Sequence, residues 1–337
     1  MGRQTGISRT NIFIGVIVAI AVVTSAVVVF RSATTKEKET SLGEVFIYDV
    51  EEISKTDPAL VKYEESRRID TGFQSVFAVA VDSKDQIYVA GDRSIKIFSG
   101  NGDTLSEVQL AGAPGCLTVD AGNIYIGIAD HIEVYDPSGT RKTRWQILGE
   151  NIVLTSVAVS ENDIFVADAG NRVVLRYNGS GKLVGRIGER DTDRNIPGLV
   201  TPSPYLDLAV ASDGLLRITN PGLQRIEAYT FDGDLELSWG KPANSIEGFV
   251  GCCNPVNFAI LPDGNFVTCE KGIPRVKVYN AEGVFESVVA GAELFSQVEG
   301  FSALDVAVDS QGRIMVLDPV ERAVRTFVSR QSLVDSQ

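Results

Sequence analysis

Histidine is almost absent from this chain: His131 is the single one among 337 residues. That excludes any centre built from several imidazoles and leaves histidine-based acid–base chemistry little to work with. Cysteine is scarce too. Four are present, at 116, 252, 253 and 269, and no two have the CxxC spacing of zinc or iron–sulfur sites. A CxxCH haem attachment signature is also missing. Positive charge is in deficit, with 31 Lys and Arg against 44 Asp and Glu and a formal net charge of −13. Such a surface repels phosphate backbones, which argues against nucleic-acid binding. It is repelled equally by anionic headgroups, so membrane attachment would have to come from elsewhere in the chain. It would attract cations or a basic partner.

Long apolar runs are limited to one. Asn11 to Phe30 reads NIFIGVIVAIAVVTSAVVVF without a charge. That is the length a helix needs to cross a bilayer, and it exceeds the apolar core of a cleavable signal. The small residues Thr24-Ser25-Ala26 keep cleavage open as the alternative. Arg3 and Arg9 precede the run; Arg31, Lys36 and Lys38 follow it. The short basic n-region without acids reads as a signal anchor, although the bare Lys/Arg count leans the other way. The expected order is a cytoplasmic n-region (1–10), a transmembrane anchor (11–30) and a polar tether (31–43). An extracytoplasmic, periplasmic domain (44–330) and a tail (331–337) follow.

What the chain has in abundance is repetition. One phrase recurs: an apolar strand ending in an Asp-like turn, a second β-rich strand, a short turn, and a third strand ending in Tyr or Phe. Its copies are Phe77–Phe98, Cys116–Tyr135, Val157–Tyr177, Leu206–Tyr229, Asn257–Tyr279 and Leu304–Phe327. The first-strand anchors are Val81, Val119, Val159, Val210, Ile260 and Val308, spaced by 38, 40, 51, 50 and 48 residues. That is the length of one four-stranded propeller blade. Segments such as AVAVD and IKIF alternate with period two, as strands do. The sixth copy stops near Arg330, too early for its own fourth strand. Leu60–Asp70 supplies the missing one, so the ring closes without a bare sheet edge. Glu44–Val50 is a candidate for a further strand or a groove cover. The expected fold is all-β: a six-bladed propeller preceded by one transmembrane helix.

The phrase resembles the NHL repeat across about residues 60–330. It is clearest in Ser156–Gly188, with Asp168, Gly170 and Asn171, and the loop Ser238–Pro255 is similar to the NHL inter-blade stretch. The resemblance implies a propeller of the TolB-like and gluconolactonase-like superfamily. It leaves function open, because NHL propellers host protein-binding, RNA-binding, lyase and hydrolase activities.

In a propeller, the loops before first strands and those joining second to third strands share one face. Three loops there are long: Arg190–Tyr205, Lys241–Pro255 and Glu293–Ala303. All four cysteines map to that face, with Cys116 across the ring from the others. Gly251-Cys252-Cys253-Asn254-Pro255 is the most unusual stretch. Three readings are open for it: a disulfide from Cys269 to Cys252 or Cys253 (or buried thiols), a neighbour disulfide serving as a ligand platform or redox pair, and soft-metal binding. Second strands end at Asp130, Asp168, Asn220, Glu270 and Asp318, with Asp92 near the matching place. Converging around one channel mouth, Asp168, Asn220, Glu270 and Asp318 would suit a divalent ion such as calcium. The plainer expectation is turn hydrogen bonding. Arg225 and Arg275 hold the repeat's usual Arg position and are expected to pair with acids or carbonyls of neighbouring blades. His131 reads as a surface turn residue. The recurring Tyr and Phe, with Trp145 and Trp239, read as core between blades.

Two function classes compete, with a third behind them. A protein- or ligand-binding scaffold needs only the loop-rich face and the anchor. A metal-dependent lactonase is suggested by Leu261–Gly272, which is similar to gluconolactonase-type propellers. A clear early Glu ligand and the Asn-Gly strand of those enzymes are missing. A redox accessory protein using Cys252 and Cys253 comes third.

Overall fold

The computed structural model describes residues 50–145, 149–296 and 303–335. The apolar run 11–30, expected as a membrane anchor, and most of Glu44–Val50 lie outside the described residues. Among the described ones, no helix is long and apolar enough to cross a membrane. Val50 opens a short helix, α1 (Val50–Ser54), and a second, α2 (Arg330–Asp335), ends the described chain.

Between them the described residues form 24 strands in six four-stranded antiparallel sheets. Blade 1 is β2 (Val76–Val81), β3 (Ile87–Gly91), β4 (Ser94–Phe98) and β5 (Thr104–Gln109). Blade 2 is β6 (Pro114–Asp120), β7 (Asn123–Ile128), β8 (His131–Tyr135) and β9 (Arg141–Arg144). Blade 3 is β10 (Leu154–Ser160), β11 (Asp163–Asp168), β12 (Val173–Asn178) and β13 (Leu183–Ile187). Blade 4 is β14 (Leu208–Val210), β15 (Leu216–Asn220), β16 (Arg225–Tyr229) and β17 (Leu235–Trp239). Blade 5 is β18 (Asn257–Ile260), β19 (Phe266–Cys269), β20 (Val276–Tyr279) and β21 (Phe285–Ala290). Blade 6 is β22 (Asp305–Val308), β23 (Ile314–Asp318), β24 (Ala323–Ser329) and, from the other end of the propeller, β1 (Tyr63–Asp70). The strand β1 pairs antiparallel with β24, from Tyr63 opposite Ser329 to Asp70 opposite Ala323. The ring is therefore zipped shut where the sequence expects it.

Each junction between blades holds one buried apolar cluster. Ile95, Ile97 and Val108 of blade 1 meet Leu117, Ile124 and Ile126 of blade 2. Trp239 of blade 4 meets Phe266 and Tyr279 of blade 5, with ring centroids 5.0 Å apart in both pairs. Phe98, Tyr135, Tyr177, Tyr229, Tyr279 and Phe327 are all buried, as are Trp145 and Trp239. Their period is the blade period because each closes a third or fourth strand against its neighbour.

Candidate functional site: the channel mouth and its loops

First strands stand innermost and line a central channel of about 690 Å³. Its wall includes Val76, Phe77 and Ala78, Cys116, Thr155 and Ser156, Tyr205 and Asp207, Asn257, and Asp305. One column of the repeat, three residues before each anchor, faces inward near the mouth: Ala78, Cys116, Ser156, Asp207, Asn257 and Asp305.

The polar members of that column tie each blade to the next. Asp207 Oδ2 accepts from Phe258 N at 2.8 Å, joining blade 4 to blade 5. Asp305 Oδ2 accepts from Val79 N at 2.8 Å, joining blade 6 to blade 1. Asn257 Nδ2 donates to Leu304 O at 2.7 Å. Ser156 Oγ lies 3.4 Å from both the amide and the carbonyl of Leu208, and Thr155 Oγ1 donates to Leu206 O at 2.5 Å. The second oxygens of the acids are occupied as well: Asp207 Oδ1 takes Leu208 N and Asp305 Oδ1 takes Val306 N, each at 2.9 Å. Both carboxyls touch the channel, yet the body of the ring surrounds them. Burial pushes Asp207 up to about 6. Burial and then the charge of Asp207 push Asp305 up to about 7, against the amide hydrogen bonds.

The second-strand ends lie one layer out, away from the channel wall. There they anchor the loop that leads into their own blade. Asp168 accepts from Val153 N at 3.1 Å, Asn171 N at 3.2 Å and Asn171 Nδ2 at 2.6 Å. Asn220 holds Val200 N at 2.9 Å and Gly198 O at 3.1 Å, so it pins the 190–205 loop. Asp318 accepts from Val320 N at 3.0 Å and Glu321 N at 3.1 Å. It also faces Arg325, whose guanidinium reaches Leu294 O at 2.6 Å. Asp92 receives Gln74 N and Ser75 N. The turn reading of these acids holds, with loop anchoring added. Against the calcium reading, most of their oxygens are engaged by loop amides or buried cations, Asp318 Oδ2 being buried without a hydrogen bond, and no group of three or more His, Cys, Asp or Glu converges among the described residues.

Glu270 anchors the most elaborate loop. Arg275 Nε donates to its Oε2 at 2.6 Å, and Lys277 Nζ stands 2.9 Å from Oε1. All three are fully buried or nearly so. The ammonium of Lys277 also donates to Ile246 O at 3.0 Å and Gly248 O at 2.6 Å. Burial lowers its pKa to about 8, against the pull of Glu270. Tyr279 OH donates to Glu247 O at 3.2 Å, and Gln224 reaches Gly251 O. Asn254 closes the loop: Nδ2 donates to Val250 O at 2.7 Å and Lys271 O at 3.0 Å, while Oδ1 accepts from Lys271 N at 2.9 Å.

This rigid loop presents Cys252, exposed, and Cys253, half-buried, with their sulfurs 3.4 Å apart. A disulfide to Cys269, one of the readings left open, is not present, and Cys269 is a buried thiol. Cys269 lies fully buried on β19, packed in the cluster between blades 5 and 6, and all four cysteines are free. Polar contacts from Asn254 and Lys277 hold the loop instead. Burial raises the Cys253 thiol, but the neighbouring Cys252 thiol and the Lys271 ammonium outweigh it, and its pKa falls below the ordinary value. The hydrogen bond to Cys253, and then its charge, push Cys252 the other way. Lys271 Nζ stands 5.5 Å from the ring centroid of Tyr205, which lines the channel, so the lysine beside Cys253 sits at the edge of the mouth.

Two arginines and the histidine depart from expectation. Arg225 pairs with Glu227 on its own strand, Nε to Oε1 at 2.7 Å, and Arg275 pairs with Glu270 of its own blade. Arg275 is fully buried and Arg225 half-buried, and each guanidinium takes the carboxylate that its own sheet places beside it. His131 is buried at the head of β8, with Nδ1 3.0 Å from Asp130 and Nε2 3.4 Å from Glu133. The channel column does not stand out in the sequence, although the repeat alignment displays it once the anchors are set.

No protein-family model matches the sequence, and no curated protein matches it. Solved structures do resemble the fold. A protein of unknown function from Bacteroides thetaiotaomicron aligns with a TM-score of 0.58 at 20% identity, over 76% of this chain and 70% of that one. Streptogramin B lyase aligns with a TM-score of 0.55 at 10% identity, over 81% and 100%. The WD40 propeller domain of Doa1 aligns with a TM-score of 0.52 at 16% identity, over 80% and 98%. At these identities the likeness is one of fold alone.

Proposed function

We propose that this is a membrane-tethered, extracytoplasmic propeller of the NHL type that binds a ligand or protein partner on its loop-rich face, around the channel mouth. The observation that carries the reading is the mouth itself. A cavity of about 690 Å³ opens among loops held in place by buried polar anchors, with Phe77 and Tyr205 in its wall. The exposed lining is more polar than apolar, with Phe77 and Tyr205 as aromatic faces, a concave mixed surface of the kind that takes a ligand. The polar groups at hand are committed to the scaffold: Asp207 and Asp305 each engage both oxygens with backbone amides.

The lactonase alternative asks for a divalent ion held by converging oxygens, which the second-strand ends do not supply. A lyase reading has less support. One structurally similar virginiamycin B lyase is described as inactive with a histidine replaced by alanine. Here the single histidine is buried in β8 between Asp130 and Glu133, outside the channel wall.

The propeller from residue 51 onward is a compact unit and suits the test. Titrated with a neutral solvatochromic dye such as Nile red, it is expected to bind one molecule, with binding lost in Tyr205→Ala and Phe77→Ala. A panel of lactones and aryl esters should stay intact with or without calcium. Turnover that chelation abolishes and calcium restores would overturn the binding reading in favour of the enzyme. For the tether, the full chain should resist alkaline extraction from membranes and be digested by protease added outside; release by alkali would contradict it.

A further inference from the structure

The adjacent thiols are held for chemistry that a binding face does not require. Cys252 and Cys253 sit on a loop fixed by Asn254, Lys277, Tyr279 and Gln224, so their sulfurs stay 3.4 Å apart. The partners of Cys253 are unequal to those of Cys252. The inner sulfur, Cys253, is half-buried on the side of Lys271, whose ammonium stands over the ring of Tyr205 in the channel wall, while the outer one, Cys252, faces solvent. We propose that Cys252–Cys253 is a peroxide-responsive dithiol, in which Cys253 attacks a small hydroperoxide and Cys252 resolves the product into a neighbour disulfide.

The balance is simple. Cys253 thiolate attacks the outer oxygen of ROOH; the O–O bond breaks, sulfur becomes sulfenic acid, and RO⁻ leaves and takes a proton as ROH. The Cys252 thiol then attacks that sulfur, an S–S bond forms and water departs. Two thiols and one hydroperoxide give one disulfide, one alcohol and one water. Half-burial of Cys253 admits only a small oxidant. Contact with Cys252 makes resolution faster than further oxidation to the irreversible sulfinic acid. The Lys271 cation beside Cys253 is a positioning charge that keeps the thiolate populated. Cys116 and Cys269 are buried with their thiols pushed up, by burial first, so they serve as inert internal references. This activity stands whether or not the mouth binds a ligand.

The test uses the reduced full chain in detergent micelles and one equivalent of hydrogen peroxide. Two of the four thiols should vanish, the intact mass should fall by two hydrogens, and dithiothreitol should restore both. Cys252→Ser should leave a sulfenic acid on residue 253 that dimedone traps. Cys253→Ser should slow peroxide consumption roughly tenfold or more, the effect of losing a populated thiolate. Lys271→Gln should shift the pH profile of the reaction upward, and Lys271→Arg should leave it in place. Equal rates in Cys252→Ser and Cys253→Ser, or four thiols surviving peroxide in the native wild-type chain, would overturn the proposal. The wild-type thiol count needs no variant, so misfolding of a mutant cannot mask the outcome.

Discussion

Blades 1 to 3 and blades 4 to 6 solve the same packing problem differently. In the first half, anchors are 38 and 40 residues apart, and the first strands β2, β6 and β10 are six or seven residues long. Each of those strands bulges at its head. In the second half the spacings reach 51, 50 and 48, and β14, β18 and β22 shorten to three or four residues. The released chain becomes the long loops of the channel mouth. The inward column changes with it, from Ala78 and Cys116 through Ser156 to Asp207, Asn257 and Asp305. The starts of β2 and β6 carry no side-chain oxygen or nitrogen, so those junctions depend on close apolar contact. At blades 2 and 3, a Cβ on Gly127 would come within 2.6 Å of Cys116 Sγ and 3.2 Å of Leu154 Cβ. Where loops are long, hydrogen bonds between neighbouring first strands replace that closeness. Blades 1 and 2 open onto the channel through apolar strand starts, blade 3 is the transition through Thr155 and Ser156, and blades 4 to 6 form a polar frame that can carry a site.

The sharpest way to break this contrast is Lys277→Met. It leaves Glu270 buried with one cation fewer and frees the carbonyls of Ile246 and Gly248, a loss of about 3–5 kcal/mol. Denaturant unfolding should show it, and limited proteolysis should cut the 240–255 loop first. Gly127→Val attacks the apolar half and should cost about 1–3 kcal/mol by overpacking, with no new cleavage in the loops. Asp305→Ala removes the acceptor for Val79 N and Val306 N and should cost about 2 kcal/mol. Hydrogen exchange at Val79 should rise in that variant while exchange at the junction of blades 1 and 2 stays put.

Much of the ring is legible in the sequence because its signals are local and repeated. Strand alternation, the Tyr or Phe closing each third strand, and the spare segment at Leu60–Asp70 fix blade number and closure. Side-chain partners are not legible. Position in the repeat tells that Arg225 and Arg275 will be paired, but not that the carboxylates come from their own blades. The acids at second-strand ends look convergent because they share a face; a propeller's radius keeps them apart, and each finds a loop amide nearby. Cys269 looks reachable from Cys252 along the sequence, yet strand pleating turns it into the core between blades. The column of Asp207, Asn257 and Asp305 is present in the same alignment but hard to see, since inward-facing positions of first strands alternate with apolar anchors that dominate the pattern.

The most direct test is a carbon NMR titration of the aspartate carboxyls, comparing wild type with Asp305→Asn. An acid whose folded pKa lies above its unfolded value of about 3.9 binds its proton more firmly when folded. Its contribution to stability is therefore present at low pH and is lost as pH rises from about 4 through the folded value. Asp207 is expected to titrate at about 6 and Asp305 at about 7, with the Phe258 and Val79 amide signals moving along the same curves. Two carboxyls titrating at the ordinary aspartate value, with those amides unmoved, would contradict the claim that the polar half of the ring is held together by its own channel wall.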